Sequence, residues 1–302
     1  MSIDDPFDDA YRRLVDYVGG ADDPADPADV LAMQMVLRIE KTEPPDRAAL
    51  LVAAARAVAL LCLDDRSGGA GAWAAAMDAW CAARIRKIAR RARGAQWAAA
   101  QDVPGVTVDI GDAPADPVDA TDAAADPAGD AGANAPVDVR LDGGRVQARA
   151  LVPGRVGDVD KRISRLQIGG TEVDGPLPVA PGRPSDGGQL PSPAVRLWIN
   201  PDLDMTVGKL AAQVGHGAML VVKLMDRESA RRWRDAGCPL GVYAADPDRW
   251  ARLVAAAGDH DHSAAGAVDP ARGRAVAVRD AGFTEIAPGS VTVIADLADT
   301  AD

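Results

Sequence analysis

The chain has 302 residues, enough for two domains that each bury a core, and 48% of them are hydrophobic. A formal charge of −12 excludes the uniformly basic surface of a simple nucleic-acid binder, although half of that net charge falls in residues 104–194 and the flanking regions are near balance. Three cysteines (Cys62, Cys81, Cys238) without a C-x-x-C spacing, an acidic start lacking the basic and apolar parts of a leader, and no bilayer-length apolar run predict a cytoplasmic protein with no membrane partner.

In chain order, Phe7, Tyr11, Leu14, Val15 and Val18 recur at helical spacing behind an acidic start. Leu31, Met35 and Ile39 predict a second helix over 30–39 that stops before Pro44-Pro45. Asp46 caps a third, running to about Leu63. Trp73, Met77, Trp80 and Ile85 mark a fourth, which continues through 81–97. That last segment gathers Arg84, Arg86, Lys87, Arg90, Arg91 and Arg93, with Trp97 nearby. Such a run reads either as a solvated helix face or as a stripe that contacts phosphates.

Val106–Ile110 alternates like a strand. The Ala/Asp/Pro/Gly tract at 111–136 has no apolar period and is expected to be a disordered insertion. Strand-like pieces resume around Gly143-Gly144, and VQARALVPG is expected to pair with VTVDI across the insertion. The expected layout is therefore a mainly helical N-terminal domain (1–110), the insertion, a small β/α element packing with that domain (137–174) and a Pro/Gly-rich linker (175–194). Residues 195–302 then alternate strand and helix: VRLWINP, a helix from Thr206 to about Met225, GVYAA, a helix over 246–257, AVAVRDAG and SVTVIADL. That pattern predicts one compact α/β domain.

Two segments of this domain could carry chemistry. In GKLAAQVGHGA, Lys209, Gln213 and His216 fall at i, i+4 and i+7 on one helix face, among residues with little side-chain bulk. Gly208 and Lys209 lie in the first turn, where open N–H groups favour an anion. The same letters also suit an alanine-rich core helix with a surface lysine. In RDAGFTEIAPGS, Arg279 and Asp280 end a strand, Thr284 lies in the following loop and Pro288-Gly289 turns into the last strand. Asp280 there could equally cap loop N–H groups. The run Asp259-His260-Asp261-His262 has metal-ligand residue types but follows a helix end into a loop, so it is read as solvated, with no metal or other cofactor expected.

Together, K-x-A-x-Q-x-x-H and, some sixty residues on, D-A-G-x-T-x-I-A-P-G-S-x-T-V resemble the archaeal/eukaryotic-type peptidyl-tRNA hydrolase family. The resemblance covers about residues 195–298. It implies a four-stranded mixed sheet flanked by helices, and hydrolysis of the ester joining a peptide to the tRNA 3′ ribose without a metal. It also implies functional roles for Lys209, Gln213, Asp280 and Thr284 as catalytic residues, and for His216, Ser290, Gly208 and Arg279 in substrate binding. Direct attack by water fits, because no Ser/Cys–His pairing is evident. A homodimer is an assembly the resemblance allows.

The chain departs from the family pattern at several positions. A basic stretch just before the helix is reduced to Lys209, with Val207 two residues upstream. Asn200 replaces a basic strand end, and Phe283 and Glu285 replace Arg and Gln. Each of the basic losses lowers the positive potential where tRNA phosphates would sit. Either Arg84, Arg86, Lys87, Arg90 and Arg91 supply the missing phosphate contacts, or the domain acts on a different acyl or aminoacyl ester, or it is an RNA-binding or protein-interaction module without turnover.

Overall fold

The computed structural model describes residues 5–17, 19–110, 145–179, 194–258, 275–280 and 286–298. Helix α1 (Pro6–Val15) starts at an Asp5 cap with Pro6 in the first turn, and buries Phe7, Ala10 and Leu14. Strand β1 (Leu31–Arg38) follows, then α2 (Arg47–Cys62), whose Asp46 cap accepts from the Ala49 N–H at 2.8 Å. Next come α3 (Ala74–Ala82), β2 (Arg86–Ala92), α4 (Gly94–Ala100), β3 (Gly105–Ile110), β4 (Val146–Leu151), the two-residue β5 (Gly154–Arg155) and α5 (Lys161–Ser164). The C-terminal region supplies β6 (Ala194–Ile199), α6 (Val207–Leu220), α7 (Arg227–Asp235), β7 (Leu240–Ala244), α8 (Pro247–Ala257), β8 (Ala275–Arg279) and β9 (Val291–Ala298).

Two of the expected N-terminal helices are corrected. Residues 30–39 form β1, not a helix. A spacing of four is common to both periods, and here six consecutive residues are buried between neighbouring strands on both sides, with helices over both faces. The fourth helix ends at Ala82. Ala83 turns to extended backbone (φ −97°, ψ −157°), Ile85 takes a positive φ of 44°, and Arg86–Ala92 then runs parallel to β1 from Ala32↔Arg86 to Arg38↔Ala92. The region before residue 175 is thus built on a five-stranded sheet rather than being mainly helical with a small β element. The expected pairing of VTVDI with VQARAL holds, as β3 against β4 from Gly105↔Leu151 to Ile110↔Val146. The 111–136 tract, the Gly143-Gly144 turn and Asp259–His262 lie outside the described residues.

The first sheet has the order β2-β1-β4-β3, with β5 beside β1; the second has the order β7-β6-β9-β8. In each, the first strand runs parallel to the second and antiparallel to the fourth, and the third and fourth are antiparallel. Helices α2 and α6 pack on one another between the sheets. Their interlayer is the main core. Met33, Met35 and Leu37 enter it from β1, Val195, Leu197 and Ile199 from β6, and alanines from α2. The outer face of the first sheet is closed by α4 and α5 through Trp97 and Ile163, that of the second by α8 through Trp250 and Leu253. Gly217 lets α6 sit close on its sheet, since a Cβ there would lie 3.1 Å from Leu197 and 3.2 Å from Val293. Among the described residues no helix is long and apolar enough to cross a membrane.

Candidate active site

The site forms where the start of α6 faces the end of β8. Thr206 caps α6 by accepting the Lys209 N–H at 3.3 Å. One residue earlier in the turn, the Gly208 N–H donates to the Thr171 hydroxyl at 3.0 Å. Both first-turn amides expected to hold an anion are therefore engaged by hydroxyls, and Thr171 comes from the segment ahead of the linker. On the strand side, the register with β9 shifts between Val278↔Val293 and Arg279↔Val291, leaving Thr292 between the paired residues, and the strand alternation places Asp280 on the same inward face as Val276 and Val278. The turn behind it is pinned by Asp280 N–H to Ser290 O at 2.9 Å and Gly289 N–H to Asp280 O at 2.7 Å, with Gly289 at φ 80°.

Three of the expected catalytic side chains meet here. The Lys209 ammonium donates to Asp280 Oδ2, forming an ion pair whose side chains are 13% and 6% exposed. Gln213, one turn along α6, donates through Nε2 to the same oxygen at 2.8 Å. Thr292 on β9 is fully buried and fixes the Gln213 amide, donating to its Oε1 at 2.6 Å. Ser290 contributes through its backbone, and Arg279 points outward and is exposed. Thr284, with Phe283 and Glu285, lies outside the described residues. Asn200 ends β6 by bonding Val291 O at 2.8 Å and the Asp202 N–H at 2.9 Å.

His216 lies one turn past Gln213 and meets Lys87 of β2, with 3.0 Å between Nζ and Nδ1. Burial, then the charges of Lys87 and Lys209, hold its pKa well below the ordinary imidazole value. Burial likewise brings the Lys87 ammonium down to about 7. Arg84, ahead of the strand, and Arg86, Arg90 and Arg91 on it are engaged inside the chain. Arg84 pairs with Asp22 and Arg86 with Asp23, Arg91 bonds Gln167, and Arg90 is buried against Gln34 and the Leu166 carbonyl. They do not form one helical stripe.

Sequence reasoning missed Thr292, Thr171 and the Lys87 contact. Thr292 alone left a trace, as a hydroxyl residue in the last motif strand; the other two depend on tertiary packing. Chemically, the cluster offers a carboxylate that can accept a proton, an ammonium that can stabilise an oxyanion and an oriented amide. Among the described residues no group of three or more His, Cys, Asp or Glu is arranged to hold a metal.

The family model of peptidyl-tRNA hydrolase PTH2 matches residues 194–297. A peptidyl-tRNA hydrolase of Haloquadratum walsbyi is 33% identical over 97 residues, which are 31% of this chain and 75% of that protein. No solved structure matches.

Proposed function

The chain belongs to the PTH2 peptidyl-tRNA hydrolase family through its C-terminal region, and from that premise we propose that it hydrolyses the ester between a peptide, or an N-blocked amino acid, and the tRNA 3′ ribose. The observation that carries this reading is the convergence of Lys209 and Gln213 on Asp280 Oδ2. Three of the four residues that the resemblance marks as catalytic, from positions about seventy apart, share one partly desolvated cluster.

The reaction proceeds by direct attack of water. Asp280, with Thr284, holds the water and takes its proton as the oxygen bonds to the ester carbonyl carbon. Lys209 leaves its ion pair to stabilise the oxyanion, where a poorly hydrated setting strengthens the attraction. Gln213, fixed by Thr292, orients the ester. Collapse breaks the bond to the ribose 3′ oxygen, which recovers the proton from Asp280, releasing the peptide acid and tRNA. Such a protein acts in the cytoplasm, where peptidyl-tRNA is recycled, and needs no cofactor.

N-acetylated aminoacyl-tRNA incubated with the full chain tests this reading. Release that falls about a hundredfold or more in Lys209→Ala and Asp280→Ala supports it. Tight tRNA binding without release would make the chain the binding module that its losses at Val207 and Asn200 also suit.

A further inference from the structure

The two sheets do more than resemble one another in size. They have the same strand order, the same parallel and antiparallel neighbours and the same crossover, a helix-bearing connection from first to second strand. Register aligns them as far as the irregularity after Val278, which β3 and β4 lack. Leu37 pairs with Ala148 and that with Val108; Ile199 pairs with Val293 and that with Val278. Two residues beyond Val108 and Val278 stand Ile110 and Asp280. Counted from the Asp46 and Thr206 caps, Ala49 and Ala53 occupy the places of Lys209 and Gln213. Lys, Gln and Asp have become Ala, Ala and Ile.

The contacts between the halves are reciprocal, as in an isologous pair. Helix α6 touches β2, and α2 touches β7. Arg56, at the place of His216, donates to Gly237 O at 2.8 Å just ahead of β7, while Lys87 of β2 meets His216. We propose that residues 31–151 are a second copy of the hydrolase fold, stripped of its site, which serves the C-terminal copy as a built-in partner through Lys87, a positioning residue for the site helix.

The chemistry of that contact gives Lys87 its role. As an ammonium, below about pH 7, Lys87 only donates, so in that state His216 Nδ1 is the acceptor and the ring proton sits on Nε2. Burial holds His216 neutral, and the Lys87 charge at this contact adds to that hold. On the same helix face, a protonated His216 would set a second cation close to Lys209 and weaken its hold on Asp280. Lys87 faces His216 and Met219 from α6, Cys62 from α2, and Cys81 and the Trp80 ring from α3; His216 in turn feels the charges of Lys87 and Lys209. Among the described residues no carboxylate forms an ion pair with Lys87.

This inference rests on the proposed hydrolase reading only for its kinetic arm. The full chain is compared with Lys87→Met and Lys87→Arg. Its three histidines make His216 readily assigned by NMR. In Lys87→Met the His216 pKa rises, Tm is unchanged or higher, and kcat falls about tenfold without a rise in KM at the lower pH where His216 of the variant protonates and that of the wild type does not; Lys87→Arg, which keeps a donor, recovers part of kcat. An unmoved His216 titration, or a fall in Tm that accounts for the lost turnover, overturns the proposal. If the wild-type chain shows no ester hydrolysis, the functional reading fails, and the His216 titration with Tm still decides the role of Lys87.

Discussion

Neutralising the Lys209–Asp280 pair should separate stability from activity. The two side chains are 13% and 6% exposed, so each depends on the other for most of its lost hydration. Removing one partner of a buried pair costs about 3–5 kcal/mol, and the residual exposure of Lys209 points to the lower end, about 3 kcal/mol for Lys209→Met. That variant leaves Asp280 with the Gln213 amide as its remaining side-chain donor among the hydrogen bonds described above. Asp280→Asn keeps an acceptor for the ammonium and should cost about 2 kcal/mol. The double variant leaves no unpaired charge, so its cost should be about 1–2 kcal/mol, below the sum of the two single costs. Urea unfolding followed by tryptophan fluorescence measures all four proteins. Turnover, by contrast, should fall about a hundredfold or more in all three variants, because the double change restores packing and not the proton acceptor. Additive stability costs would refute the coupling, and turnover in the double variant above that of either single one would refute the catalytic roles.

Thr292→Val should cost about 1–3 kcal/mol, because it leaves the buried Gln213 Oε1 unsatisfied, and should lower kcat about tenfold with little change in KM; steady-state kinetics with full turnover would mean that Gln213 is held by something else. Gly208→Ala should destabilise the chain despite the better helix residue, since its Cβ would lie 2.9 Å from the Thr171 hydroxyl, and adding Thr171→Ala should recover part of the loss in thermal melts. Gly217→Leu should cost about 3 kcal/mol or more by wedging α6 off Leu197 and Val293, with turnover lost as the helix moves. Because the folded Lys87 titrates at about 7 and the unfolded one well above it, the unfolded chain binds more protons above pH 7. The stability contribution of this group therefore rises with pH from about 7 to the unfolded lysine value of roughly 10.4, opposed above roughly 8.5 as the unfolded cysteines ionise, and Lys87→Met should flatten that rise.

The site was legible where chemistry and motif coincide. Lys209, Gln213 and Asp280 could be picked out because few residue types suit their roles and their spacings fix one helix face and one strand end. Its supports were not legible. Thr171 and Lys87 reach α6 from segments with no local reason to approach it, and only the packing of α2 on α6 brings them there. The N-terminal misreading has a similar cause. Leu31, Met35 and Ile39 fit both a helix and a strand, and RKIARRA has good helix formers throughout. Pairing with β1 overrode that propensity once the helix had ended at Ala82. The proposed kinship of the two halves has no motif to mark it in the sequence, because the first half carries Ala49, Ala53 and Ile110 at the places of Lys209, Gln213 and Asp280.

The most direct test is single-turnover hydrolysis of N-acetylated aminoacyl-tRNA by the full chain beside Asp280→Asn, with tRNA binding measured on both. The account predicts that both proteins bind, and that the ester is cleaved at least about a hundredfold faster with Asp280 present. Equal cleavage by the two proteins, or binding without cleavage by either, would contradict it.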